Sequence, residues 1–311
     1  MSPRQAWSIL VDTIKSWLED KVPRLGAALA YYSVFSIAPL LIIVIAVAGF
    51  VFGNEAAQGR IVHEIKDTLG SATAQAIQAM IANSRQTGKG LLAAVVGLVV
   101  LLVGASGVFG QLQDALNTIW KVAPRPGRGI RGILRDRFLS FTMVLATGFL
   151  LLVSLAITAA LAALAEWTSA LPGEFYVWQV VNSAVSLALI TLLFAFIFKV
   201  LPDVKIGLGD VWIGAAVTAL LFVIGKHLIG VYLARSSVTS VFGAAGSLVV
   251  LLLWVYFSSQ ILLFGAEFTK AYATRHGRQI MPTENAISLT ALSSPQKLDG
   301  RETVRQPLHR P

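Results

Sequence analysis

Hydrophobic and polar positions along this chain fall into long blocks. Six stretches, residues 25–53, 90–110, 138–165, 177–200, 211–233 and 243–268, are apolar and almost free of charged side chains. Each is long enough to cross a hydrocarbon layer of roughly 30 Å, which takes about 20 helical residues. They lack the period-two alternation of a barrel and are about twice the length of a barrel strand, so helices are predicted. Between the fourth and fifth, Leu201-Pro202-Asp203 ends one helix at proline and starts the next at aspartate. Between the fifth and sixth lies a short Ser/Thr/Val segment, 234–242, opened by Arg235. The pattern predicts an all-α, polytopic membrane protein with six transmembrane helices, its membrane domain spanning 25–270.

The polar segments predict smaller pieces. In residues 1–24, Arg4, Asp12, Lys15, Glu19, Asp20, Lys21 and Arg24 interrupt any apolar run, which argues against a signal peptide. Trp7, Leu10, Val11, Ile14, Trp17 and Leu18 recur there at three- and four-residue steps, the pattern of an amphipathic lead-in helix lying along the interface. Residues 54–89 carry Ile61, Val62, Ile65 and Leu69, then Ile77, Met80 and Ile81 after Gly70-Ser71, which predicts an external helical hairpin. Residues 271–311 are polar, contain Pro282, Pro295, Pro307 and Pro311, and are expected to form a mostly disordered tail.

Composition agrees and adds direction. Of the 311 residues, 56% are hydrophobic and only 13% charged. A soluble domain carries about a quarter of its residues charged, so a water-facing surface could not be covered. Cysteine is absent, which removes disulfides, thiol nucleophiles and thiolate metal sites. The net charge of +9 is unevenly placed: 19 of the 25 Lys and Arg residues fall on the side holding both termini. By the positive-inside rule both termini are expected in the cytoplasm. The excess then reads as a collar facing anionic lipid, and no nucleic-acid partner is expected.

The second half holds Phe198-Lys199-Val200-Leu201-Pro202-Asp203-Val204-Lys205, then Gly225-Lys226, Tyr232, Phe242-Gly243-Ala244-Ala245-Gly246-Ser247, the run Leu251 to Tyr256, and Gly265-Ala266-Glu267. The first half holds Arg24 to Tyr32 leading to Pro39-Leu40-Leu41, and Ala115 to Trp120. Over roughly residues 5 to 275 the chain resembles the YihY/BrkB family of bacterial inner-membrane proteins. The resemblance implies a six-helix, multi-pass inner-membrane fold. Members have been associated with movement of lipid-like anions and with serum resistance, and a ribonuclease BN label also circulates.

The nuclease label finds no support in the residues. His63, His227, His276 and His309 are isolated from one another in sequence, whereas a metal-dependent hydrolase needs histidines and carboxylates converging on one site. No metal, cofactor or phosphate-cradling loop is expected, and no enzyme activity.

The remaining candidates are polar or small residues within the spans. Gly97 and Gly104, seven residues apart and nearly on one face, predict close helix packing, as do Gly243 and Gly246; Pro39 predicts a kink. Lys226 lies deep in the fifth span, where a cation is costly unless it snorkels, is paired or meets a wet cavity. With Asn182, Ser183, Ser186 and Arg235 it would form an outer pocket for a phosphate or carboxylate headgroup. Gln260 and Glu267, with Tyr31, Tyr32, Ser33 and Ser36, form a second polar set at the inner end, where Arg24 or Lys270 would pair with Glu267. Two functions fit: a transporter or flippase for an amphiphilic or anionic cargo, or a non-transporting scaffold or envelope-assembly factor. Membrane lipids are the expected partners, and oligomeric state is open.

Overall fold

A computed structural model of the protein describes residues 3–36, 107–126, 174–235, 246–278 and 280–289, with isolated helical positions between 58 and 79 and between 142 and 157. The described chain is mostly helical. Helix α1 is Pro3–Glu19. After a two-residue break at Asp20 and Lys21, α2 occupies 22–36, and α3 occupies 107–119. Strand β1 is Val122–Pro124, α4 is Glu174–Val200, β2 is Val204–Lys205 and α5 is Leu208–Arg235. Helix α6 is Gly246–Arg275, followed by β3 at Met281–Pro282 and β4 at Ala286–Ser288.

Among the described residues, three helices are long and apolar enough to cross a membrane, at Trp178–Val200, Leu208–Tyr232 and Leu248–Arg275. They match the fourth, fifth and sixth predicted spans. The 25–53 and 90–110 stretches enter the described residues only at 25–36 and 107–110, and 138–165 only at scattered helical positions. Pro39, Gly97, Gly104 and Gly243 lie outside the described residues. In the 54–89 segment, Ala74 and Ile77 are buried while Gln75, Gln78 and Ala79 are exposed, a helical alternation of faces.

Helix α5 packs between α4 and α6. The α5–α6 contact is built from two reciprocal Gly-x-x-x-Thr units. A Cβ on Gly214 would run into Thr269, and a Cβ on Gly265 would run into Thr218. Each threonine hydroxyl donates to the carbonyl of the glycine one turn earlier on its own helix, Thr218 to Gly214 and Thr269 to Gly265, both at 2.7 Å. The hydroxyls are thus satisfied within their own helix, and each threonine side chain, hydroxyl oxygen foremost, fills the other helix's glycine gap. Small residues of this kind allow backbones to approach where lipid supplies no hydrophobic drive between helices. Higher up, Ile261 covers Gly225. The α4–α5 contact is aromatic and aliphatic, with Phe194 edge-on to Phe222 at 5.6 Å between ring centroids. Outward positions such as Val180, Leu187, Leu220, Ile224 and Leu228 are apolar and exposed, as lipid-facing positions are.

One end of the bundle is capped by short strands. Val204 and Lys205 pair antiparallel with Pro282 and Met281. Val122, Ala123 and Pro124 pair antiparallel with Ser288, Ile287 and Ala286. Where a mostly disordered tail is expected over 271–311, the described residues carry regular structure as far as 289. Helix α6 continues to Arg275, Gly277 turns the chain at φ 72°, and the segment beyond forms two strands. Polar composition and Pro282 suggested disorder, but a two-residue edge strand needs neither an apolar run nor every N–H. Residues 290–311 lie outside the described residues.

Candidate functional site

The strand-capped end collects most of the paired charges among the described residues. Helix α1 ends in Asp20, whose N–H donates to the Ser16 carbonyl at 2.8 Å. Lys21 then takes a left-handed conformation, φ 52°, and turns the chain into α2. Helix α3 ends the same way at Trp120 and Lys121, with Lys121 at φ 54°. Left-handed backbone favours glycine and costs a side-chain-bearing residue about 1 kcal/mol or more. At 121 the side chain has a use that glycine could not supply: its ammonium pairs with Asp20 Oδ1.

Lys270, on the last turns of α6, completes the cluster. Its Nζ donates to the Ile119 carbonyl at 2.9 Å and to Asp20 Oδ2 at 3.2 Å, and lies 2.6 Å from Glu267 Oε2. One ammonium thus donates two hydrogen bonds and faces Glu267 across a short ion pair. Two carboxylates and two ammonium groups balance one another where α1, α3 and α6 converge. The Asp20 side chain is 2% exposed, Lys270 13%, Lys121 47% and Glu267 0%. Burial alone would push the Asp20 carboxyl up, but Lys121 and Lys270 outweigh it and hold the group below the usual carboxylate range. Glu267 is held less completely. Its ion pair with Lys270 is short, yet neither carboxylate oxygen has a well-directed hydrogen bond.

Seven residues up the same face of α6 sits Gln260. Gly26 of α2 faces it without a Cβ; any side chain there would fall on the Gln260 amide. Both the nitrogen and the oxygen of that amide are buried and lack a hydrogen-bond partner. A buried amide left unpaired costs roughly 1–3 kcal/mol, so this is a second stressed polar group in line with Glu267.

The turn between α4 and α5 docks beside the cluster. Asn117 on α3 accepts from the Asp203 N–H at 2.8 Å and donates to Asp203 Oδ2 at 3.0 Å, and Gln113 reaches the same oxygen at 3.4 Å. Lys199 donates to the Ile206 carbonyl at 2.6 Å. Gly207 opens α5, its carbonyl accepting from the N–H groups of Asp210 and Val211. Asp210, in that first turn, accepts from Arg278 at 2.6 Å, a carboxylate placed at the positive end of the helix. On the opposite flank Arg275 grips Asp12 through two nitrogens, at 2.9 and 2.7 Å, and also reaches Ser8. Among the described residues no group of three His, Asp or Glu side chains is placed to hold a metal.

Of the residues singled out in the sequence, Glu267 and Gln260 are brought onto one face of α6, and Glu267 takes Lys270 as its partner. Lys226 is exposed on α5, and beside it the His227 ring donates through Nδ1 to the Val223 carbonyl, 3.0 Å away. Asn182 and Ser186 are exposed on α4. Arg235 is the last residue of α5 and Gly246 the first of α6, where it is buried. Sequence reasoning missed Asp20, Lys121 and Asp203 as site residues. The available signal was the pair of helix ends carrying Asp-Lys and Trp-Lys where a C-cap glycine is usual.

A helical bundle of membrane-length apolar helices with a charged, strand-capped end defines a membrane protein. The comparisons make that particular. Residues 13–287 match the family model Virulence factor BrkB, and the chain belongs to that family. It is 30% identical to a UPF0761 membrane protein of Vibrio parahaemolyticus, over 83% of this chain and 80% of the relative. It is also 30% identical to one of Vibrio campbellii, over 84% and 81%. A UPF0761 membrane protein of Pseudomonas aeruginosa is 28% identical over 80% of this chain. That match covers 59% of the relative, so the chain spans about three-fifths of the length of the first such relatives. No solved structure matches the chain.

Proposed function

We propose that the protein is a transporter or flippase of the bacterial inner membrane that moves an amphiphilic, anionic, lipid-like molecule and performs no enzymatic chemistry. In this reading six helices span the bilayer, and the strand-capped end faces the cytoplasm with both termini, as the bias of 19 in 25 basic residues favours. The observation that carries the reading is the Gln260 amide, buried and unpartnered halfway along a helix of 30 residues, two turns from the fully buried Glu267. Polar groups left unsatisfied at that depth are expensive for a protein that only needs to stay folded. They suit one whose resting state awaits a polar headgroup, with Gln260 offering both a donor and an acceptor. The exposed Lys226, with Asn182, Ser186 and Arg235, would attract such a headgroup at the other end of the route.

The test uses purified protein in vesicles carrying a fluorescent anionic phospholipid, with leaflet exchange read by quenching from outside. Gln260→Leu is expected to slow exchange about tenfold, the loss of one good hydrogen bond in the rate-limiting step, while the unfolding temperature holds or rises. Lys226→Met is expected to slow it as well. Exchange no faster than in protein-free vesicles for the unaltered protein would overturn the proposal and leave the scaffold reading.

A further inference from the structure

Helix α1 has two apolar sides, and only one is used inside the protein. Ile9 and Thr13 are buried, and Trp17 packs against the core. Trp7, Val11, Ile14 and Leu18 form a row at four- and three-residue steps on the opposite side. Trp7 is 68% exposed and Leu18 60%. The helix cannot swing freely, because Asp12 and Ser8 are held by Arg275 and Asp20 by Lys270 and Lys121.

Those same pairs decide the charge of the helix's outer surface. Asp20 spends its charge on buried partners, and the half-exposed Asp12 is matched by Arg275. Arg4, Lys15, Lys21 and Arg24 are exposed against one exposed acid without such a match, Glu19. The basic turn at Lys21 and Arg24 also sits between two outward apolar rows, Trp7–Ile14–Leu18 on α1 and Ala27–Tyr31–Phe35 on α2. An apolar row, a basic junction and a second apolar row match a surface that crosses from acyl boundary through headgroups.

We infer that the Trp7–Leu18 face of α1 is a docking surface for anionic phospholipid of the adjoining leaflet, with Arg4, Lys15, Lys21 and Arg24 receiving the headgroup phosphates. The inference stands apart from any cargo movement and would survive the failure of the transport reading.

The chain contains no cysteine, so single spin labels can be placed at Trp7→Cys, Ile14→Cys or Leu18→Cys, with Glu19→Cys as the water-facing reference. Full-length protein is placed in nanodiscs of phosphatidylcholine alone or with phosphatidylglycerol, and also in amphipol without lipid. Accessibility to a water-soluble nickel chelate is then measured. With phosphatidylglycerol, the labels at 7, 14 and 18 are expected to be about threefold or more less accessible than at 19, the contrast between an immersed and a solvated helix face. The protection should weaken in phosphatidylcholine alone and on combining Arg4→Gln, Lys15→Gln, Lys21→Gln and Arg24→Gln. Equal accessibility at 14, 18 and 19 would overturn the inference. So would protection that is identical in both lipids, or that persists in amphipol, where only a protein partner could cover the face.

Discussion

At the scale of single residues, Lys270 is the keystone of the charged end. Its ammonium neutralises Asp20 and Glu267 together and caps the Ile119 carbonyl. Lys270→Met would leave two carboxylates buried with only Lys121 nearby. Removing one partner from a buried ion cluster costs about 3–5 kcal/mol, because the remaining charge stays desolvated. Lys121→Met should cost much less, since its side chain is nearly half exposed and the left-handed backbone strain at 121 is unaltered. Unfolding midpoints of the two variants in detergent measure the difference, and equal losses would contradict the geometry. The acid response has a definite sign. The Asp20 carboxyl is held below its usual range in the folded protein. Its contribution is therefore fully present above the unfolded value, about 3.9, and is lost as pH falls through the lower folded value. The stability gap between the unaltered protein and Asp20→Asn should be flat from neutrality down to about pH 5 and close only in stronger acid.

At the scale of elements, the α5–α6 seam rests on glycines that threonines fill. Gly265→Val would drive a branched side chain into Thr218 and cost roughly 1–3 kcal/mol by overpacking. Thr218→Ala in the same chain removes the hydroxyl and methyl that collide, so part of the loss should return; a full additive loss would show that the helices do not meet there. The helices themselves were legible in the sequence because apolar blocks of membrane length need no partner to be recognised. The seam was not. The glycines whose spacing stands out, Gly97, Gly104 and Gly243, lie outside the described residues, while Gly214 and Gly265 are ordinary glycines until the two helices are in register. The charged cluster was half legible. Glu267 is conspicuous as an acid inside an apolar span, and Lys270 follows one turn later. Asp20 and Lys121 look like common interface charges, separated from their partners by 250 and 101 residues of sequence.

At the scale of the whole molecule, residues 280–289 act as a strap across the charged end. Through β3 they hold the α4–α5 turn, through β4 they hold the chain leaving α3, and Arg278 pins the start of α5. Three segments far apart in sequence are thus tied by one stretch whose own pattern carried no strand signal. The tie rests on few hydrogen bonds, so its register is its most exposed claim. Because a one-residue slip turns each side chain to the other face, the pairing of Ala123 with Ile287 can be tested directly. In the cysteine-free chain, Ala123→Cys with Ile287→Cys should form a disulfide under mild oxidation, since directly opposed residues fall within bridging distance. Ala123→Cys with Ser288→Cys, one residue out of register and on the opposite face, should remain largely reduced. Electrophoresis of a protein cleaved between α3 and the strap separates the outcomes, because only a bridged chain stays whole without reductant. The bridge should also raise the unfolding midpoint, since it closes a loop of well over a hundred residues, worth about 5 kcal/mol in the chain-entropy limit. Bridging of the slipped pair in preference to the aligned one would mean that the strap crosses the bundle in a different register, and the placement of Arg278 on Asp210 would fall with it.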